Sequence, residues 1–252
     1  MIIDVHCHLG TSPGFHFPDP STATILRTMD RLGIERAIFC HLAMLHGELA
    51  LGLRESIAAC RMAPGRFAFY TVFEPGRDGA IEFVKESLEQ PGCVGIKLHP
   101  SFHRCAADDD AYEPIWRLAA ERNLPMLTHS WDISDDNPSQ KFSFPTRFER
   151  YISVYPEVKL ILGHAGGRYG GHVAAADLAR RYPNVFLDIA GDCYVRGLLE
   201  YLAENAGEDK VLFGSDLTWI DPRTQLGMVL DAEIPVGVKE KILRLNALRI
   251  FP

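Results

Sequence analysis

Eight short apolar, β-branched runs recur along the chain with helix-type patterns between them, and few folds accommodate that rhythm. The runs are Ile2–Val5, Arg36–Cys40, Phe67–Val72, Val94–Leu98, Pro125–Thr128, Val158–Leu162, Val185–Ile189 and Val211–Gly214. Several are near-continuously apolar, as parallel strands covered on both faces should be. They begin roughly every 30 residues, the repeat of a strand–helix unit. Between them, Asp19-Pro20 and Asp221-Pro222 read as helix caps followed by proline at the first helical position. Ile25, Leu26, Met29 and Leu32, and later Val195, Leu198, Leu199 and Leu202, follow helical spacing. Eight such units in 252 residues predict a single closed (β/α)8 barrel spanning residues 1–252, with its site at the carboxyl ends of the strands. A doubly wound sheet is the alternative, but no Gly-x-Gly-x-x-Gly follows the first strand, which removes its dinucleotide-binding form.

The histidines argue for the same rim. All ten (6, 8, 16, 41, 46, 99, 103, 129, 164 and 172) fall at a predicted strand end or just after it, and none in a predicted helix interior. A barrel gathers those ends onto one face. His6 and His8 are one residue apart at the end of the first run, so a strand points both imidazoles the same way. Neutral imidazole is a ready ligand for zinc, iron, nickel or copper. Thr128-His129 ends the fifth strand, Gly163-His164-Ala165-Gly166-Gly167 the sixth, Phe213-Gly214-Ser215-Asp216 the eighth, and Gly95-Ile96-Lys97-Leu98-His99-Pro100 the fourth. Singly, each could be a core histidine, a helix cap or a snorkelling lysine. Converging on one rim, they form a His/Asp cluster of metal-hydrolase type.

Composition narrows the partners. A net charge of −7 and no basic run exclude a phosphate-backbone binder or an anionic-membrane binder. No apolar run approaches membrane-spanning length. The N-terminus enters a strand pattern with no basic leader, and six scattered cysteines lack a Cys-x-x-Cys pair, so reduced thiols and the cytoplasm are expected. The expected partner is a small-molecule substrate, with self-association left open. The polar stretch from Ser130 to Phe144 is the longest loop and has the length of a lid or binding loop.

The ordered set Asp4-Val5-His6-Cys7-His8, Gly95–Pro100, Thr128-His129, Gly163–Gly167 and Phe213–Asp216 resembles the amidohydrolase superfamily. Within it, the set is most similar to the amidohydrolase-related group that includes aminocarboxymuconate-semialdehyde decarboxylase. The resemblance implies a distorted (β/α)8 barrel holding a divalent metal, zinc above others. It makes His6, His8 and His129 metal ligands, Asp216 a ligand or the partner of a bound water, and His164 a proton-transfer group. Lys97 is read as uncarboxylated, with one ion in the site. Lys97, His99, Arg168, Tyr169, Trp131 and Arg223 occupy rim segments and are candidate substrate contacts. The leading expectation is a metal-dependent hydrolase of a small carboxylate-bearing amide, ester or lactone. The alternatives are a non-oxidative decarboxylase of an aromatic or unsaturated acid and a non-catalytic metal-binding protein.

Overall fold

The computed structural model describes residues 1–13 and 18–251; His16 lies outside the described residues. Eight parallel strands follow one another in sequence order: β1 (Ile2–Leu9), β2 (Ile34–His41), β3 (Phe67–Val72), β4 (Cys93–Leu98), β5 (Met126–His129), β6 (Leu160–Gly163), β7 (Val185–Asp188) and β8 (Val211–Leu212). The ring is drawn together between β8 and β1 by backbone hydrogen bonds. Val5 N–H donates to Phe213 O (3.0 Å), and the amides of Ser215 and Asp216 both donate to His6 O (3.2 and 2.9 Å). The architecture is a (β/α)8 barrel, as the strand rhythm predicts.

Four strands, β1, β2, β5 and β6, run beyond the sequence pattern at the site end. β1 runs on to Leu9 because its histidines are buried inside the barrel and pair like any other strand residues. β8 contracts to two residues because Gly214 onward turns inward to present Asp216. The first helix, Thr22–Leu32, is capped not by Asp19 but by Ser21, whose hydroxyl accepts from Thr24 N. Asp19 instead accepts from the Ser21 amide and the Thr24 hydroxyl. Asp221 does hold the start of the helix Arg223–Asp231, accepting from Arg223 N at 3.0 Å. Val195 lies outside the helix Leu198–Leu202 and is half exposed. His172 departs from the expected pattern, since it sits inside the helix Tyr169–Arg181. That helix begins immediately after the tight Gly166-Gly167 turn, without a cap residue to mark it in sequence.

Side chains divide into two cores. The outward faces of the strands pack on the helices through Phe39, Phe69, Ile96, Leu160, Leu162, Leu187 and Phe213. The barrel interior is filled by Ile3, Val5, Ile38, Tyr70, Leu127, Ile161, Phe186 and Leu212. Ala247, Ile250 and Phe251 join this inner cluster, and Lys159, just before β6, donates to Arg249 O. The C-terminal segment therefore plugs the barrel at the amino ends of the strands, leaving the opposite end to the histidines. All six cysteines carry free thiols.

Candidate metal centre

Alternation alone does not aim β1. Ile3 and Val5 face the interior, and strict period two would send His6 and His8 outward with Cys7 inward. The register between β1 and β2 contains the answer: Asp4 opposes Ala37, yet Cys7 opposes Phe39, so β1 carries one extra residue, a β-bulge. The bulge switches the phase, leaving Cys7 in the outer core and both imidazoles inside. Asp4 holds the bulge, its carboxylate accepting from His6 N (3.1 Å), Ser215 N (3.2 Å) and the Ser215 hydroxyl. Burial pushes the Asp4 carboxyl up to about 7, against the lowering effect of these donors.

His6, His8 and Asp216 converge. Asp216 Oδ1 lies 3.1 Å from His8 Nε2 and 3.6 Å from His6 Nε2. All three side chains are buried. The far nitrogen of each ring is fixed by a partner, His6 Nδ1 by Asp188 Oδ2 (2.9 Å) and His8 Nδ1 by Cys40 O (3.2 Å). Such outer contacts set the tautomer and orient the remaining nitrogen as a ligand. Space for His6 comes from glycine. A Cβ at Gly214 would stand 2.9 Å from His6 Cβ and 3.2 Å from Asp188 Cγ, and one at Gly163 only 2.7 Å from Thr128 O. Asp216 and His164 both adopt left-handed backbone, with φ of 59° and 62°. Non-glycine residues occupy that region at a cost, and such strain gathers at functional sites.

These groups fit a divalent cation. Asp216 Oδ1 is buried and makes no hydrogen bond among the described residues, although two imidazole nitrogens face it. An unsatisfied buried carboxylate oxygen is costly unless something positive completes it. Two nitrogens and one carboxylate oxygen are a zinc-type set that leaves a position open. A second grouping, His6, His164 and Asp188, also lies within ligand range, but His6 Nδ1 is engaged by Asp188 and both His164 ring nitrogens by Ala190 O and His129.

The charges agree with that geometry. Burial lowers His6, His8 and His164 below the ordinary histidine value. Burial also works to raise Asp216, but His8, His6 and His164 outweigh it and hold the carboxyl well below the usual range. Asp188 is likewise held low by His6 and His164 against its burial. Lys97 is driven down by burial, and its Nζ lies 2.8 Å from His6 Nε2.

His129 stands one ring further off. Its Nδ1 meets His164 Nε2 at 3.0 Å and its Nε2 meets Gln140 Oε1 at 2.8 Å, so both nitrogens are engaged outside the His6–His8–Asp216 trio. His164 Nδ1 lies 3.0 Å from Ala190 O and 4.0 Å from Asp216 Oδ2. His99 stacks on His129 (centroids 4.2 Å apart), and Trp131 lies parallel to His129 and edge-on to His164. Arg168 lies over the Trp131 ring and pairs with Asp192. Tyr169 is 87% exposed and Arg223 pairs with Asp221 on the surface, and neither touches the cluster among the described residues. Asp188 and Gln140 escape the sequence reading, and Asp4 enters it only as part of the first motif, with no role assigned. Asp188 and Asp4 were visible as lone carboxylates inside apolar strands, a costly placement that signals a buried partner. Gln140 carries no such signal.

The comparisons with known proteins agree with this architecture. The model of the amidohydrolase family matches residues 3–252. A decarboxylase (macB) from Penicillium terrestre is 25% identical over 234 aligned positions, covering 75% of this chain and 69% of the relative. The 2,6-dihydroxybenzoate decarboxylase from Rhizobium superposes with a TM-score of 0.75 at 18% identity, over 99% of this chain and 98% of that one. A dihydroxybenzoic acid decarboxylase from Polaromonas sp. JS666, solved with manganese and 2-nitroresorcinol, gives 0.76 at 17% identity, over 99% and 96%. With the family model spanning nearly the whole chain and a His/Asp cluster at the rim of its barrel, this protein belongs to the amidohydrolase family of metal-dependent enzymes.

Proposed function

We propose that the protein is a metal-dependent, non-oxidative decarboxylase of a small aromatic or unsaturated carboxylic acid. The observation that carries this reading over hydrolysis is the relative itself, a decarboxylase that aligns with 75% of the chain. Two of the similar solved structures are also decarboxylases of hydroxylated benzoic acids. In this reading His6, His8 and Asp216 hold the ion, zinc by the nitrogen–oxygen character of the set. His129 joins them only by releasing His164 or Gln140. When bound, the ion supplies Lewis-acid polarisation of a substrate oxygen.

The residues of the chain do the rest. Loss of carbon dioxide leaves an electron pair on carbon, and a proton must reach that carbon without bulk water. His164, buried and 4.0 Å from Asp216, takes up the proton of the entering acid and delivers it to that carbon as carbon dioxide leaves. His129 and Ala190 O fix the His164 ring for the task. Trp131, beside His164, offers a flat apolar surface to a planar acid, and Arg168 above it attracts a carboxylate. We place the reaction in the cytoplasm, on a free small molecule.

Hydrolysis of a carboxylate-bearing amide, ester or lactone is the second reading. It is favoured by one feature, a buried Asp216 carboxylate beside the two imidazole nitrogens that would hold the ion, where it can accept a hydrogen bond from an attacking water. Incubating the zinc-loaded protein with a panel of hydroxybenzoic acids and small lactones in ¹⁸O-water separates the two. Release of carbon dioxide with no ¹⁸O in the organic product is expected. A product that keeps all its carbons and gains ¹⁸O would establish hydrolysis instead.

A further inference from the structure

We infer that Lys97 is a built-in rival of the metal ion: its side-chain nitrogen occupies the same His6 nitrogen that the ion must take. Binding of the ion therefore displaces Lys97. The inference rests on the metal-site reading above and extends it to how the site is filled.

Asp188 Oδ2, at 2.9 Å, accepts the N–H of His6 Nδ1. A neutral imidazole then has a single lone pair left, at Nε2. Lys97 Nζ sits 2.8 Å from that atom and donates to it. The same nitrogen faces Asp216 Oδ1 at 3.6 Å and is the one His6 offers to the trio. One lone pair serves either a donor or a cation. Lys97 is 1% exposed, so it cannot exchange His6 for bulk water. Removing it from His6 costs a buried hydrogen bond. The fold thus carries its own plug, a hydrogen-bond donor that holds His6 Nε2 and must yield it to the ion. A lysine acting as a ligand, after carboxylation, would have the opposite effect.

Lys97→Met keeps the length and apolar stem of the side chain and removes the donor. Zinc affinity, read by competition with a chromophoric chelator, should tighten up to about tenfold, the worth of one buried hydrogen bond. The zinc-induced rise in melting temperature of Lys97→Met should be larger than that of the parent. Equal or weaker zinc affinity in a folded variant overturns the inference. The parent itself gives an independent test. In [¹⁵N]lysine-labelled, ion-free protein one side-chain N–H signal should be protected from exchange, and one equivalent of zinc should shift or abolish it. Zinc binding in calorimetry with that signal unchanged overturns the role of Lys97. No zinc binding by the parent overturns the metal-site reading, and this inference with it.

Discussion

On the proposed reading the Asp216 carboxylate holds the ion, and it also faces His164, the proposed proton carrier, at 4.0 Å. Asp216→Asn keeps the shape and one acceptor but removes the charge. Turnover of the zinc-saturated variant should fall by at least about 10²-fold, the scale of a general acid–base role. Parental turnover in metal-loaded protein would move the role to another residue. His164 differs, since both its ring nitrogens are committed to Ala190 O and His129. His164→Asn should lose turnover strongly while elemental analysis shows metal near the parental level. Loss of metal would make His164 a ligand. Most of these side chains were legible in the sequence as His or Asp at strand ends. Asp188 was not singled out, because a carboxylate in Val-Phe-Leu-Asp reads equally as the polar end of a strand until His6 is seen bonded to it.

Among the elements, the bulge in β1 and the glycines beside it aim the candidate ligands His6 and His8. Gly214→Ala would press a methyl group within 2.9 Å of His6 Cβ, and both backbones there are fixed by hydrogen bonds between β1 and β8. Overpacking of this kind costs roughly 1–3 kcal/mol. We expect Gly214→Ala to fold with a lower melting temperature and to bind zinc more weakly, both measured by zinc titration followed thermally. Unchanged affinity would mean that His6 is not positioned by this contact. The helical turn Pro100–His103 carries a different device. Both nitrogens of His103 are buried without a hydrogen-bond partner among the described residues, and burial lowers its pKa to about 4, against the opposing charge of Glu74. The folded value lies below the unfolded one, about 6.5, so the unfolded chain takes up the proton first as pH falls. Stability should therefore be full above pH 6.5 and decline toward pH 4, by up to about 1.4 kcal/mol per pH unit for this one group. Urea unfolding of His103→Phe should show a shallower acid slope than the parent. Equal slopes would assign the loss to other groups.

Across the whole molecule, the site and the C-terminal plug occupy opposite ends of one barrel and should report separately. Phe251 is buried in the inner core against Tyr70, with ring centroids 6.0 Å apart. Phe251→Ala should cost about 3–5 kcal/mol of stability, with zinc affinity little changed, because the plug lies at the amino ends of the strands. Chelation should do the converse, lowering the melting temperature of the parent through loss of a ligand bound only to the native state. Coupled loss of metal in Phe251→Ala would show that the two ends communicate.

The sequence by itself determined the barrel and its polarity. Eight apolar runs at a strand–helix repeat leave little alternative, and histidines at their carboxyl ends mark the rim. Period and composition are local properties, so they survive without coordinates. Only the tertiary structure decided which ligands meet. The phase of β1 depends on one extra residue against β2, a pairing between segments about thirty residues apart. The grouping of His6 and His8 with Asp216, the diversion of His129 to His164 and Gln140, and the seating of Lys97 on His6 depend on ångström-scale distances across the closed ring. Strand spacing sets which end of the barrel a residue reaches, whereas coordination and hydrogen bonding are decided within about 3 Å, a scale that no one-dimensional pattern carries.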